Sequence, residues 1–221
     1  MTAGASAGPP PGAATSDDWR TISEELLQGL VHALNNRVAA LSAFVELARL
    51  GDEEGDPLTV LPLEIAQLHQ VNGLFGLLPE RRSDPEALEL RAVLDDAIRL
   101  HEHHPALRAE RVDVTYEGAP GAVRAPRWAL VRAMVMLVHI AKRTAESRQR
   151  GAGAALRVRG EEASVGVHVV TPIEPSTDLI VLAERCSGVI AREHDELVLT
   201  LPSLRELRRR ERAARGDPPA D

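Results

Sequence analysis

The sequence of 221 residues predicts an α+β protein, in which an antiparallel helical hairpin precedes an α/β sandwich. Two apolar stripes with steps of three or four residues flank a short acidic turn in the first third of the chain, which indicates paired helices. Strand-like alternation begins only after residue 110, and a long apolar helical segment interrupts it. Only 2% of the residues are aromatic, so Leu, Val, Ala and Ile must form the cores.

Residues 1–17 are rich in Gly, Ala and Pro without periodicity, which predicts a disordered leader. This segment lacks the basic and apolar regions of a secretory signal, and the chain has no apolar run of 18 residues. We therefore expect a cytoplasmic protein that does not bind a membrane. The single cysteine, Cys186, excludes an intramolecular disulfide and is expected to be buried. A formal charge of −7 argues against nucleic-acid binding.

Residues 18–80 are predicted to form the helical hairpin. The first stripe consists of Leu27, Leu30, Leu34, Val38, Leu41, Val45 and Ala48. After the acidic turn at 51–57, the second stripe consists of Leu58, Leu61, Ile65, Leu68, Phe75 and Leu78. A hairpin alone has too little to pack against, so we expect its exposed stripe to meet a second copy. The sequence therefore predicts a homodimeric four-helix bundle.

Residues 85–203 are predicted to form a separate second domain. Asp84 and Pro85 are suited to begin a helix, LELRAVLDDAIRLHEHH. Strands are predicted at RVDVTYEG, ALRVRGEE, ASVGVHVVTP and ELVLTLP, with a buried helix, WALVRAMVMLVHIAKRTAESR, after the first of them. This order predicts helices packed on one face of a sheet. Residues 204–221 are predicted to be a charged C-terminal helix and tail.

The first helix carries one histidine opposite its apolar stripe. On a helical wheel His32 lies with Asn36 on the outer face, and the same row includes Glu25, Ala39 and Ala43, with Gly29 near it. Glycine within a helix costs about 1 kcal/mol relative to alanine, which suggests that something other than helix stability selected it. Small neighbours would let a partner's reactive atom approach the imidazole within about 3 Å. Glu25, Gly29, Ala39 and Ala43 are therefore candidate partner contacts.

Two alternatives stay open at this level. His32 is one of eight histidines, and wheel position alone does not distinguish a nucleophile from an ordinary exposed polar side chain. His101, His103 and His104 suggest a metal, but neighbouring helical residues point in different directions and no facing ligand is evident. We therefore expect no metal site there.

The segment HALNNRVAALSAF, beginning at His32, resembles the phosphoacceptor box of bacterial sensor histidine kinases. In those kinases the histidine lies on the first helix of a dimeric hairpin, and an ATPase-like domain follows. Residues 85–202 are similar to that domain in the order of their elements. The resemblance covers most of the chain, and it is specific in the histidine box but only topological in the second half.

The second half lacks the nucleotide-binding groups of these kinases. Val135 and His139 stand where the kinases place asparagines that hold magnesium and phosphates, and Thr171 replaces the aspartate that reads adenine. No glycine-rich lid follows Pro172. Because bound phosphates need backbone amides at glycine turns and a cation, we expect a degenerate domain without ATP or another cofactor.

The resemblance therefore implies a histidine phosphotransferase of the dimeric relay type. His32 would accept phosphate from the receiver domain of one response regulator and pass it to another, while the receiver supplies Mg²⁺. Ala33 and Arg37 replace an acidic residue and a proline of active kinases, changes that weaken self-phosphorylation more than transfer. Asn36 is a candidate for orienting the phosphoryl group or a water, and a solvated amide is its alternative role.

A hybrid histidine kinase is a further candidate partner. The alternative function is a catalytically inactive pseudokinase, which would bind response regulators as a scaffold or act on them as a phosphatase.

Overall fold

The structure is a computed structural model and describes residues 16–50, 61–81, 83–148 and 153–215. Its elements are α1 (Trp19–Leu50), α2 (Leu61–Phe75), β1 (Glu86–Glu89), α3 (Leu90–His101), β2 (Val112–Glu117), β3 (Ala122–Ala125), α4 (Arg127–Ser147), β4 (Ala154–Gly160), β5 (Ser164–Val170), α5 (Thr177–Arg185), β6 (Val189–Glu193), β7 (Glu196–Pro202) and α6 (Leu204–Arg215). The predicted α+β class, with a helical hairpin before an α/β sandwich, is confirmed. The predicted turn at 51–57, most of the leader and the end of the tail lie outside the described residues.

The hairpin consists of α1 and α2, which pack side by side. A part-buried ion pair joins them, with Arg37 Nη1 3.2 Å from Glu64 Oε2. The predicted apolar stripe of α1 is only partly covered, because Leu34 and Leu41 are half-buried whereas Leu27 is 45% and Val38 50% exposed. Within the single chain, this stripe therefore does not form the core that holds α1.

The fully buried face of α1 shares only Leu30 with the predicted stripe. Ile22, Leu26 and Leu30, spaced four residues apart, are fully buried and belong to the same hydrophobic cluster as the apolar residues of α4. A four-residue step keeps these side chains along one line of the helix. The first three turns of α1 thus belong to the core of the α/β half, and the predicted separation of two independent domains does not extend to this core.

The α/β half is built on a five-stranded sheet in the order β2-β4-β5-β7-β6. Only the β2–β4 pairing is parallel, and the other three pairings are antiparallel. The inward-facing residues of the central strands are apolar and buried: Leu156, Val158, Val165, Val167, Val169, Leu197, Leu199 and Leu201. The helix α4 is buried around most of its circumference, because it lies between the sheet and α1.

Three short strands were not predicted. Residues 86–89 were predicted to begin a helix, but they form β1, which pairs antiparallel with β3, and α3 begins only at Leu90. The edge strand β6 was also missed. Strands of four or five residues are too short for alternation to be recognised in the sequence. The charged helix predicted after residue 203 is present as α6. None of the described helices combines the length and hydrophobicity needed to span a bilayer.

Candidate functional site

His32 lies on the solvent-exposed side of α1, two residues after the fully buried Leu30. The side-chain amide of Asn36, one turn further on, is 3.2 Å from His32 Nε2 through its nitrogen Nδ2. An amide NH₂ group only donates, so this contact makes Nε2 the acceptor and places the ring proton on Nδ1. In this geometry the single lone pair of Nε2 is engaged by the Asn36 amide.

His32 and Asn36 line a cleft of about 1200 Å³ between the hairpin and the α/β half. The α2 wall includes His69, which is exposed, and the far wall is the segment after α3 that contains His103 and Arg108. The arginines of the cleft lining outnumber its carboxylates, and this composition favours an anionic group in the cleft. The remaining charged lining residues are Arg37, Asp96, Arg99, Glu102 and Arg127.

The predicted row of partner contacts is only partly exposed. Ala39 and Ala43 are exposed as expected. Glu25 is half-buried, and its carboxylate accepts a hydrogen bond of 2.9 Å from His104 Nε2. Gly29 was expected near the exposed row, and this placement is wrong because the residue is buried against the main chain of His103. The α/β half packs on this side of α1 over its first three turns, which the helical wheel alone does not indicate.

A group of three buried histidines was not foreseen. The rings of His101, His104 and His139 have centroids 5.4–5.7 Å apart, and each side chain is at most 2% exposed. We call this group the histidine cluster. No set of His, Cys, Asp or Glu residues in the described parts of the chain has the arrangement of a metal site. The sequence separates His139 from the other two, so only the tertiary fold reveals the cluster.

Two carboxylates, one on α1 and one just before it, accept hydrogen bonds from the histidine cluster. His104 Nε2 donates to Glu25 on α1, and His139 Nε2 donates to Asp17 just before α1, each at 2.9 Å. Asp17 was assigned to the disordered leader, but here it contacts α4. Burial is the main cause that lowers the pKa of each ring in the cluster, well below the ordinary value for His101.

The positions that match nucleotide ligands of the kinases are occupied by internal contacts. Val135 is fully buried, and His139 is bound to Asp17. The hydroxyl of Thr171 is buried and lies 2.7 Å from the hydroxyl of Thr144. These side chains are therefore not presented to a solvent-filled pocket.

Trp19, the first residue of α1, contacts both α4 and α5. Its ring lies 4.8 Å from the guanidinium of Arg132 on α4, and its backbone N–H donates to Asp178 on α5 at 2.9 Å. The N-terminal turn of α1 thus bridges α4 and α5, because it contacts one helix through the ring and the other through the main chain.

Several solved structures are similar to this chain. A bacterial phosphotransferase matches with 14% identity over 86% of this chain and 99% of that chain, at a TM-score of 0.40. The histidine kinase AdeS of Acinetobacter baumannii matches with 13% identity over 78% of this chain and 96% of that chain, at 0.41. The histidine kinase ThkA, in complex with the response regulator TrrA, matches with 16% identity over 85% of this chain and 64% of that chain, at 0.42.

No known family model matches the sequence, and no protein of curated function does. With identities of 13–16% and TM-scores of 0.40–0.42, the structural matches assign neither a family nor an activity to the chain.

Proposed function

We propose that this protein is a histidine phosphotransferase, in which His32 accepts a phosphoryl group from the receiver domain of one response regulator and passes it to another. The observation that carries the proposal is the presentation of His32. Its ring is exposed at the edge of a cleft, and the Asn36 amide, one turn further along α1, contacts Nε2. A neutral, accessible imidazole nitrogen is a suitable nucleophile for an acyl phosphate.

The transfer step requires no base from this chain. The Asn36 amide first turns away from His32 Nε2, and the freed lone pair forms a bond to phosphorus while the bond between phosphorus and the aspartyl oxygen of the receiver breaks. The receiver aspartate leaves as a carboxylate, and the imidazole, now positively charged, releases the Nδ1 proton to water. The reverse sequence on a second receiver regenerates the free histidine. Mg²⁺ bound by the receiver would offset the phosphoryl charge.

Two features support transfer without ATP. At the positions that the resemblance compares with nucleotide ligands, Val135 is fully buried, His139 is hydrogen-bonded to Asp17, and Thr171 is hydrogen-bonded to Thr144. The first turns of α1 also cover α4, with Ile22 and Leu26 fully buried. A nucleotide bound at these positions on α4 would have to displace α1 from this core. If added ATP raises the melting temperature of the protein, this part of the proposal is contradicted, because only a ligand that binds the folded state stabilises it.

A homodimer is part of the same proposal. Leu27, Val31, Val38 and Val45 leave a continuous apolar stripe exposed on α1, and a second hairpin is a partner of matching chemistry. A response-regulator receiver, alone or as part of a hybrid kinase, would then approach each His32. Light scattering tests the association state, and a monomer at micromolar concentration would remove the dimer from the proposal.

The central experiment mixes the purified protein with a phosphorylated receiver domain carrying labelled phosphate. We expect acid-labile, alkali-stable label on the wild type and none on His32→Ala. His69→Ala is the matched control, because His69 is also exposed and lines the same cleft on α2. This control should be labelled like the wild type.

Receiver binding measured in parallel separates the alternatives. If the wild type and His32→Ala both bind the receiver and neither is labelled, the protein is a scaffold. If both accelerate loss of phosphate from the receiver without becoming labelled, it is a phosphatase that does not use a phosphohistidine. Either result refutes the transfer proposal.

A further inference from the structure

The histidine cluster lies at the contact between α1 and the α/β half, directly behind the cleft that contains His32. His104 is followed by Pro105 and Arg108, and both of these residues line the cleft. On the other side, the cluster is bonded to Glu25 and Asp17, at the start of the chain's first helix. One group of rings therefore contacts both structural units that form the cleft.

The hydrogen bonds of His104 are compatible only with the neutral ring. Its Nδ1 accepts the backbone N–H groups of Ala106 and Leu107, at 3.2 and 3.1 Å, while Nε2–H donates to Glu25. A second proton would have to bind at Nδ1, where the two backbone donors point. Protonation would therefore break the turn that positions Pro105 and Arg108 in the cleft.

Each of the other two rings has one nitrogen at which a second proton would find no hydrogen-bond acceptor among the described residues. His101 Nδ1 lies 3.3 Å from the carbonyl oxygen of Ala97, and its Nε2 has no hydrogen-bond partner among the described residues. His139 donates from Nε2 to Asp17, and its Nδ1 is likewise without a partner in the described part of the chain. A proton on either free nitrogen would add charge where no acceptor is in place.

Two carboxylates and two cations face the cluster. Glu25 and Asp17 face it from the beginning of the chain, and Lys142 and Arg143 face it from α4. Lys142 is itself buried, and its Nζ donates to the carbonyl oxygen of Leu107 at 3.2 Å. The nearby carboxylates of Glu102 and Glu110 attract the charge of Lys142 and favour its protonated form. The charges that face the rings therefore balance in number, and burial is the main effect that disfavours additional positive charge on them.

We infer that the histidine cluster is a proton-sensitive joint: protonation of its rings releases the first turns of α1 from the α/β half and disorganises the cleft beside His32. The effect on phosphotransfer rests on the function proposed above, whereas the release of α1 does not.

The sign of the pH dependence follows from burial. Desolvation lowers the pKa of all three rings below 6.5 in the closed state, and an opened joint would restore the ordinary value. The open state then binds more protons, so the joint is fully stabilised above pH 6.5 and loses stability as the pH falls below it. Between pH 7.5 and 5.5, each ring that stays neutral in the closed state favours opening by about tenfold.

Hydrogen exchange at pH 7.5 and 5.5, corrected for the intrinsic rates, tests the joint directly. We expect the protection of the backbone amides of residues 22–30 to fall by at least about tenfold at pH 5.5. In His104→Gln the amide oxygen can accept the two backbone N–H groups and its NH₂ can donate to Glu25, without titrating. In this variant, the fall in amide protection between pH 7.5 and 5.5 should be about tenfold smaller than in the wild type. His32→Ala, which removes an exposed histidine outside the cluster, should respond like the wild type.

Equal protection of residues 22–30 at both pH values would overturn the inference, as would a His104→Gln variant with the full acid response. Ring NMR of the wild type gives a second measurement that needs no variant. The cluster rings should stay neutral at pH 6 and titrate together with the loss of protection, and titration near 6.5 without that loss would refute the joint. Acid release of α1 without labelling of His32 at any pH would leave the joint standing and refute the phosphotransferase.

Discussion

Replacing Gly29 by alanine tests the packing of α1 against the α/β half. A Cβ atom placed on Gly29 lies 1.6 Å from the carbonyl oxygen of His103 and 2.7 Å from the carbonyl carbon. Both are main-chain atoms, so rotating a side chain cannot relieve the overlap. Either α1 or the His103 turn must therefore move by more than about 1 Å, which disturbs tightly packed surroundings.

The expected loss of stability is the difference between two effects. Alanine is favoured over glycine within a helix by about 1 kcal/mol, whereas overpacking costs about 1–3 kcal/mol or more. Because the obstacle is a backbone carbonyl, we expect an overpacking cost of about 3 kcal/mol. Subtracting the helix preference of alanine leaves a net loss of about 2 kcal/mol of unfolding free energy. For a chain of this size, that loss lowers the melting temperature by about 4–8 °C.

Gly73 of α2 supplies the matched control. A Cβ there would meet no atom within 4 Å, so only the helix preference acts, and Gly73→Ala should raise the melting temperature by about 1–4 °C. Thermal unfolding followed by circular dichroism measures both variants at the same protein concentration. If Gly29→Ala is as stable as Gly73→Ala, the close approach of α1 to His103 is refuted.

Three further results are expected. Leu26→Ala should cost about 2–5 kcal/mol of unfolding free energy, because its side chain is fully buried, and Leu27→Ala, at a position 45% exposed, should cost clearly less; equal losses in chemical denaturation would contradict the assignment of the buried face. Asn36→Ala should speed phosphorylation of His32 by about twofold to fivefold, since a hydrogen bond of about 0.5–1 kcal/mol that occupies the Nε2 lone pair before attack is lost, whereas Asn35→Ala should leave the rate unchanged. The thiol of Cys186 should resist a disulfide reagent at pH 8 until the protein is unfolded, because burial raises its pKa to about 12; rapid reaction of the folded protein would be the opposite outcome.

The long helices were predictable because their periodicity extends over many turns. The helix α1 has 32 residues and α4 has 21, so each repeats its apolar spacing often enough to exceed chance. The exposure of His32 was predictable for the same reason, since the wheel position opposite a long stripe is well defined. The short strands β1 and β6 provided no comparable repetition.

The packing of α1 was less accessible from the sequence. Its apolar residues fall on two faces. The more regular stripe passes through Leu27 and Val38, whereas the fully buried residues are Ile22, Leu26 and Leu30. Helical periodicity shows which residues share a face but not which face meets a neighbour. Glycine at position 29 did indicate an unusual constraint, and the structure identifies it as contact with the His103 main chain.

The histidine cluster could not have been predicted from local patterns. Its members come from α3, the following turn and α4, and its carboxylate partners are Asp17, just before α1, and Glu25 on α1. Such a group depends on how three distant segments pack, and residue spacing contains no information about that arrangement.

Because only the first turns of α1 are fully buried, any rotation of the rest of the helix has its centre near Leu30, close to His32. From Leu30 to its end, the helix extends about 30 Å, whereas His32 is only about 3 Å past Leu30. A swing of about 5° would therefore carry the far end through about 2.5 Å and the histidine through a few tenths of an ångström. The far end of the hairpin can thus shift when it binds another protein, while the position of the imidazole relative to the α/β half hardly changes.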